Sequence, residues 1–249
     1  MLRELTDYYA ANGILSTDFR CEFREDCQGD CEAFTGPKSA FVSSGYADNE
    51  LPRLLFLSLD SGSGDPVAKN RLPAAVRKHE EWNRDFESLA QNKHWYRTHE
   101  LAWYILRKFN PRMNIREARR FFAHANSAKC CMNKKQKKKA DKQLFENCRR
   151  YLVDELKILD PEILVTQGNE AKVAISSHRE STLDRFDEFS SIIRFNGKPI
   201  FWLHTWHPSN WGAFNKQRNY DKTADVAVGW ELVAEQVERF VMGNRGDWD

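Results

Sequence analysis

The chain has 249 residues, a formal net charge of +2, and 30% charged against 41% hydrophobic residues. That length supports one sizeable hydrophobic core, and so small an excess of positive charge means that any basic surface must come from local clustering. No apolar run approaches the ~18 residues that cross a bilayer, and the first residues carry acids where a secretory leader carries bases. A cytoplasmic protein without membrane contact is therefore expected, and in that reducing setting its six cysteines read as metal ligands, catalytic groups or buried thiols rather than disulfides.

In chain order, residues 1–50 read as irregular and hold Cys21, Cys27 and Cys31. Residues 53–59 (RLLFLSL) form a short apolar run that enters the turn Asp60-Ser61-Gly62-Ser63-Gly64, the pattern of a buried strand. Residues 67–110 look largely helical, and Pro111 ends them. A second strand is expected near 121–125, followed by a helix over 143–159 whose Leu144, Cys148, Tyr151, Leu152, Leu156 and Leu159 recur at three- and four-residue spacing. Residues 163–166 (ILVT) read as another buried strand, with Gly168 opening the next helix. Asn196-Gly197 lies in the middle of a hairpin over 191–204, and a last helix covers about 224–242. Strands alternating with helices predict an α/β fold, a three-layer sandwich around a mostly parallel sheet. A single domain over 1–249 is expected, since no repeat or linker-like break interrupts it.

Three groups of residues carry chemistry. The cysteines fall into Cys21, Cys27 and Cys31, then Cys130, Cys131 and Cys148. Four thiolates from two distant segments can close an iron–sulfur cluster or a tetrahedral zinc site, whereas unrelated buried thiols are the plainer alternative. Between Cys131 and Cys148 lie Lys134, Lys135, Lys137, Lys138, Lys139 and Lys142. A run this dense attracts phosphate because neutralised backbone charges release counterions, though such runs often serve solubility alone. Lastly, His204-Thr205-Trp206-His207-Pro208-Ser209 follows an apolar strand, so a histidine lies near the carboxyl edge of the sheet, where such folds bind ligands. Thr205 and His207 alternate with His204 and Trp206, and only one pair can face the cleft.

Asn126-Ser127-Ala128-Lys129-Cys130, the later Cys148, and His207-Pro208-Ser209 follow one another in an order that resembles the uracil-DNA glycosylase superfamily, nearest to its iron–sulfur branch. The resemblance implies a central four-stranded, mostly parallel sheet and a DNA glycosylase that flips a pyrimidine and hydrolyses its N-glycosidic bond. It also implies a [4Fe–4S] cluster on Cys27, Cys31, Cys130 and Cys148, with Cys21 or Cys131 as substitutes and zinc as the alternative metal; the cluster ties residues 1–50 to the core. Asp60 is implied to orient the attacking water, and His207 to stabilise charge developing on the departing base. Asn126 is implied to read the base edge and Trp95 or Tyr96 to stack on it, with Ser61 and Gly62 forming a turn beside it. DNA is the implied partner, contacted by Lys129, the lysine run, and Ser209, Asn210 and Trp211 in the loop after His207. A monomer is expected.

One segment departs from the family pattern. The branch carries Gly-Glu-Ala-Pro-Gly where this chain has Leu59-Asp60-Ser61-Gly62-Ser63. The shorter acid moves the water and the lost Ala-Pro enlarges the pocket. A modified pyrimidine, such as a bulky cytosine installed by phages, is thus the expected substrate, with a role in antiviral defence. The rival expectations are ordinary uracil repair and an inactive iron–sulfur nucleic-acid-binding protein of the same fold.

Overall fold

A computed structural model describes residues 1–15, 20–29, 34–59, 65, 67–88, 94–130, 142–208 and 226–246. In chain order its elements begin with helices α1 (Leu2–Ala11) and α2 (Arg24–Gln28), strand β1 (Phe41–Val42), helix α3 (Ser44–Ala47) and strand β2 (Leu54–Ser58). Helices α4 (Pro73–Lys78) and α5 (His94–Leu106), strand β3 (Phe122–Asn126), helix α6 (Lys142–Leu159), strand β4 (Ile163–Gln167) and helix α7 (Asn169–His178) follow. Strands β5 (Ser181–Arg185), β6 (Ser190–Phe195) and β7 (Lys198–Thr205) and helix α8 (Val226–Gly246) complete them.

The short apolar runs become the centre of the sheet because both their faces are covered. Every residue of β2, β3 and β4 is buried. The strand order is β1-β3-β2-β4-β7-β6-β5, with β3, β2, β4 and β7 parallel and the outer strands antiparallel. The expected four-stranded parallel sheet is thus the core of a seven-stranded one. Residue alternation sorts the two layers. Leu55, Leu57, Ala123, Ala125, Leu164 and Trp202 pack against α1, α6 and α7, whereas Leu54, Phe56, Phe122, Val165 and Leu203 pack against α4, α5 and α8.

Two expectations need correction. Residues 1–50 are not irregular throughout. Leu5 and Tyr9, four apart on α1, are fully buried against the core, although the rest of that helix is polar enough to hide the pattern. The stretch from 67 to 110 is broken: a 3₁₀ turn (Ala68–Arg71) precedes α4, and a π-turn (His79–Asn83) buries Glu80 and Glu81 before α5 begins. Strand β5 carries no apolar alternation because all five of its residues are exposed; it adds to the hairpin edge only through β6. That hairpin turns at Asn196 and Gly197, with φ of 51° and 75°, the positive values that a two-residue hairpin turn demands. Among the described residues no helix is long and apolar enough to cross a membrane.

Phe56 is fully buried and meets Phe122 edge-on at 5.4 Å, so it carries the α5 side of the sheet. Phe56→Ala is expected to cost about 3–5 kcal/mol, read as a lower urea midpoint with an unchanged m-value. A loss below about 1 kcal/mol would contradict this packing.

Candidate active site

The register brings the four parallel strands to a common edge. Ser58 ends β2 opposite Asn126 of β3, and Gln167 ends β4 opposite Thr205 of β7. Because strand side chains alternate, Ser58, His124, Asn126 and Gln167 all lie on the α5 face of that edge. They continue the Phe56, Phe122 and Val165 face into polar chemistry. A cavity of about 400 Å³ opens there, lined among others by Asn126, Ser58, His124, His94, Trp95 and His207.

His207 is the member of its pair that faces the cavity, and its ring stacks on His94 at 5.2 Å. His204 lies on the opposite face, where its Nδ1 meets Thr166 Oγ1 at 3.2 Å. Trp95 borders the cavity, whereas Tyr96 stacks on Phe86 at 5.7 Å. Asn126 is buried and lines the cavity. Asp60, Ser61, Gly62, Cys31, Cys131, the lysines from 134 to 139, and Ser209, Asn210 and Trp211 lie outside the described residues.

One placement reverses an expectation. Lys129 does not face phosphate: its side chain is 2% exposed and pairs with Glu155, which is itself fully buried. Its ammonium also donates to the Asn126 carbonyl at 2.8 Å. A lysine beside a basic run reads as surface, and nothing local shows that its partner is on the helix 26 residues further on.

Sequence reasoning missed Ser58, His124, Glu80, Arg84 and Gln167. The signal for His124 was present, since FAHAN places it two residues before Asn126 and hence on the same face. Ser58 Oγ lies 2.6 Å from Gln167 Oε1, 2.7 Å from His124 Nε2 and 3.3 Å from His94 Nε2. With the serine donating to Gln167, both rings donate from Nε2 and keep Nδ1 as an acceptor. Burial, and then the neighbouring His207, push His94 down to about 3. Burial also holds His99 down to about 4 and His124 well below the usual histidine range. These imidazoles are neutral hydrogen-bonding groups at neutral pH. Charge enters from the rim: Glu80 pairs with Arg84 at 2.6 Å and Lys38 at 3.6 Å, and the Arg84 guanidinium lies 4.9 Å from the Trp95 ring.

A second cluster lies behind this edge. Cys27, Cys130 and Cys148 are buried together with Ala128, Leu144 and Phe145, and Cys21 packs against them. Hydrogen-bond donors point at the sulfurs: Lys129 N at Cys148 (3.3 Å), Asn147 Nδ2 at Cys27 (3.3 Å) and the Tyr151 hydroxyl at Cys21 (3.4 Å). Burial pushes the Cys148 thiol up to about 11 and Cys130 higher, with the neighbouring cysteines adding to both. Among the described residues, no three of these side chains yet stand in ligand geometry.

A polar, partly charged cavity at the carboxyl edge of a parallel sheet, lined by a histidine and an amide, lies where α/β folds of this kind bind ligands. The family can be given more closely. The model of the uracil DNA glycosylase superfamily matches residues 33–228, and the chain belongs to that superfamily. No curated protein matches the chain.

The neutral histidines make stability pH-dependent in a fixed direction. Their folded pKa values lie below the unfolded value of 6.5, so the unfolded chain takes up protons first as pH falls. The stability they contribute is complete above that value and is lost toward about pH 3–4. The urea midpoint is expected to fall steadily from about pH 7 to about pH 4, and a flat profile would contradict buried neutral rings.

Proposed function

We propose that the chain is a DNA glycosylase that extrudes a pyrimidine nucleotide and hydrolyses its N-glycosidic bond, leaving an abasic site. The observation that carries this reading is the meeting of Asn126 and His207 in one cavity at the sheet edge. In the proposed complex the flipped base enters that cavity and Asn126 hydrogen-bonds its edge. Trp95 supplies an aromatic wall. His207, at the end of its strand, donates to the carbonyl oxygen on which negative charge gathers as the glycosidic bond breaks; this favours the departing anion over the bound base. Asp60 orients the water that captures the sugar. His94 and His124, neutral and already bonded to Ser58, exclude water while adding no charge of their own.

The substrate is proposed to be a modified pyrimidine rather than uracil alone. Supporting this, the cavity of about 400 Å³ lies within the roughly 300–1,000 Å³ that small-molecule pockets span. A hydroxylated or glycosylated cytosine such as phages install fits both the space and the polar rim of Glu80, Arg84 and Lys38, and a defence role follows from such a substrate.

The cysteine cluster is proposed to hold iron and sulfur as [4Fe–4S], with zinc as the alternative. Cys27, Cys130 and Cys148 supply three ligands, and Cys21 or Cys31 the fourth. The soft thiols, buried at Cys27, Cys130 and Cys148, and the N–H and O–H donors aimed at the sulfurs fit such a group, whose bonding would supply structural cross-linking. Its role is to anchor the segment around Cys27 to α6.

Purified protein incubated with uracil-containing duplex and with phage DNA bearing modified cytosines, followed by alkaline cleavage, tests the reaction. Strand breaks are expected with the modified DNA, and His207→Ala or Asn126→Ala is expected to slow their appearance by roughly 10²–10³-fold. Breaks in the uracil duplex alone would refute the modified-base reading. Full activity in both variants would refute the mechanism.

The metal has its own test. A brown protein carrying about four irons per chain is expected, and colourless protein with bound zinc would overturn the cluster.

A further inference from the structure

Lys129 and Glu155 form an ion pair with side chains only 2% and 0% exposed. Burying two charges costs more than burying two apolar side chains of similar size, so such a pair is a poor source of stability. Its connections suggest another purpose. Lys129 Nζ also donates to the Asn126 carbonyl at 2.8 Å. The second oxygen of Glu155 accepts from the Tyr9 hydroxyl, and that hydroxyl accepts from Ala40 N at 3.2 Å. Ala40 lies between Ser39 and Phe41, and both of those line the cavity, as does Asn126. Main-chain bonds tighten the same region: Lys38 N donates to Lys129 O at 3.0 Å, and Ser127 N and Ala128 N donate to Ser58 O (2.9 Å) and Leu59 O (3.0 Å).

We propose that Tyr9, Glu155 and Lys129 are positioning residues, a buried relay that fixes the main chain of Asn126 and of the neighbouring Ala40, which the pairing of β1 with β3 sets side by side along one wall of the cavity. The first helix and α6 thereby set the position of that wall in a site that neither of them lines. A charged chain does this better than an apolar one because each bond has a required direction, and a slipped register leaves a buried charge unpaired. The inference rests on Asn126 being the residue that contacts the base.

The decisive comparison is between single variants Lys129→Met and Glu155→Met and the double variant carrying both. Each single variant leaves one buried charge alone, so both should melt well below wild type. The double variant removes both charges and should melt close to wild type. If the relay positions the site, the double variant still binds duplex DNA with wild-type affinity, which phosphate contacts set, and keeps its metal content. Its single-turnover base release nevertheless stays roughly 10²-fold slow, and the side-chain amide signals of Asn126 broaden or split in nuclear magnetic resonance spectra. Recovery of both melting temperature and release rate, with one sharp pair of Asn126 signals, would show a merely structural pair and overturn the proposal. Tyr9→Phe keeps the ring and the fold, and is expected to shift the Ala40 amide signal and slow release severalfold. Unchanged signal and rate in that variant would equally overturn it. The Asn126 and Ala40 signals do not depend on catalysis: were wild type to release no base, signals disturbed in these variants would leave the relay standing and only the glycosylase reading would fall.

Discussion

Four parallel strands ending level with one another is the constraint on which the rest of this structure depends. The register aligns Ser58 with Asn126 and Gln167 with Thr205, so polar side chains from strands far apart in sequence arrive at one edge on one face. One residue of slip in any of them would send its polar group to the α6 side and an apolar one into the cavity. The buried apolar faces on both sides of the sheet oppose such slips. The same packing that stabilises the core therefore sets the positions of the groups that meet the ligand.

Burial then decides what those groups are chemically. Four histidines stand around the cavity or just behind it, and desolvation holds His94, His99 and His124 neutral. The site gains acceptors and shape without gaining a cationic interior that would bind anions indiscriminately. Among the described residues that line the cavity, formal charge comes from Glu80, Arg84 and Lys38, which partly cancel, and the Lys129–Glu155 pair lies behind it. In the proposed chemistry a neutral, oriented donor placed where charge develops stabilises the departing base.

How much of this was legible in the sequence depended on how local each signal was. The buried strands, the Asn-Gly hairpin and α6 were legible because their patterns repeat within a few residues. Asn126 and His207 were legible through the motifs around them, and both line the cavity. Helix α1 was not, because only Leu5 and Tyr9 of it are buried, nor was β5, whose exposed residues leave no periodicity to read. Lys129 was misread for the opposite reason. Its neighbours look like surface, and the carboxylate that buries it lies on a helix whose pattern speaks only of leucines. Ser58 and Gln167 each look like an unremarkable strand end until the other is set beside it.

The walls of the cavity come from segments around residues 38–41, 58, 80–84, 94–95, 124–126 and 207. No two neighbouring elements enclose it, so it exists only once contacts spanning most of the chain have closed. A site built from contacts of such long sequence separation is assembled only when the sheet is complete, and a nascent chain lacking β7 has no His207 to bring to it. The same geometry links occupancy to the whole molecule. A ligand seated there opposes global unfolding rather than the opening of one loop, and its affinity is felt equally by helices and strands that never touch it.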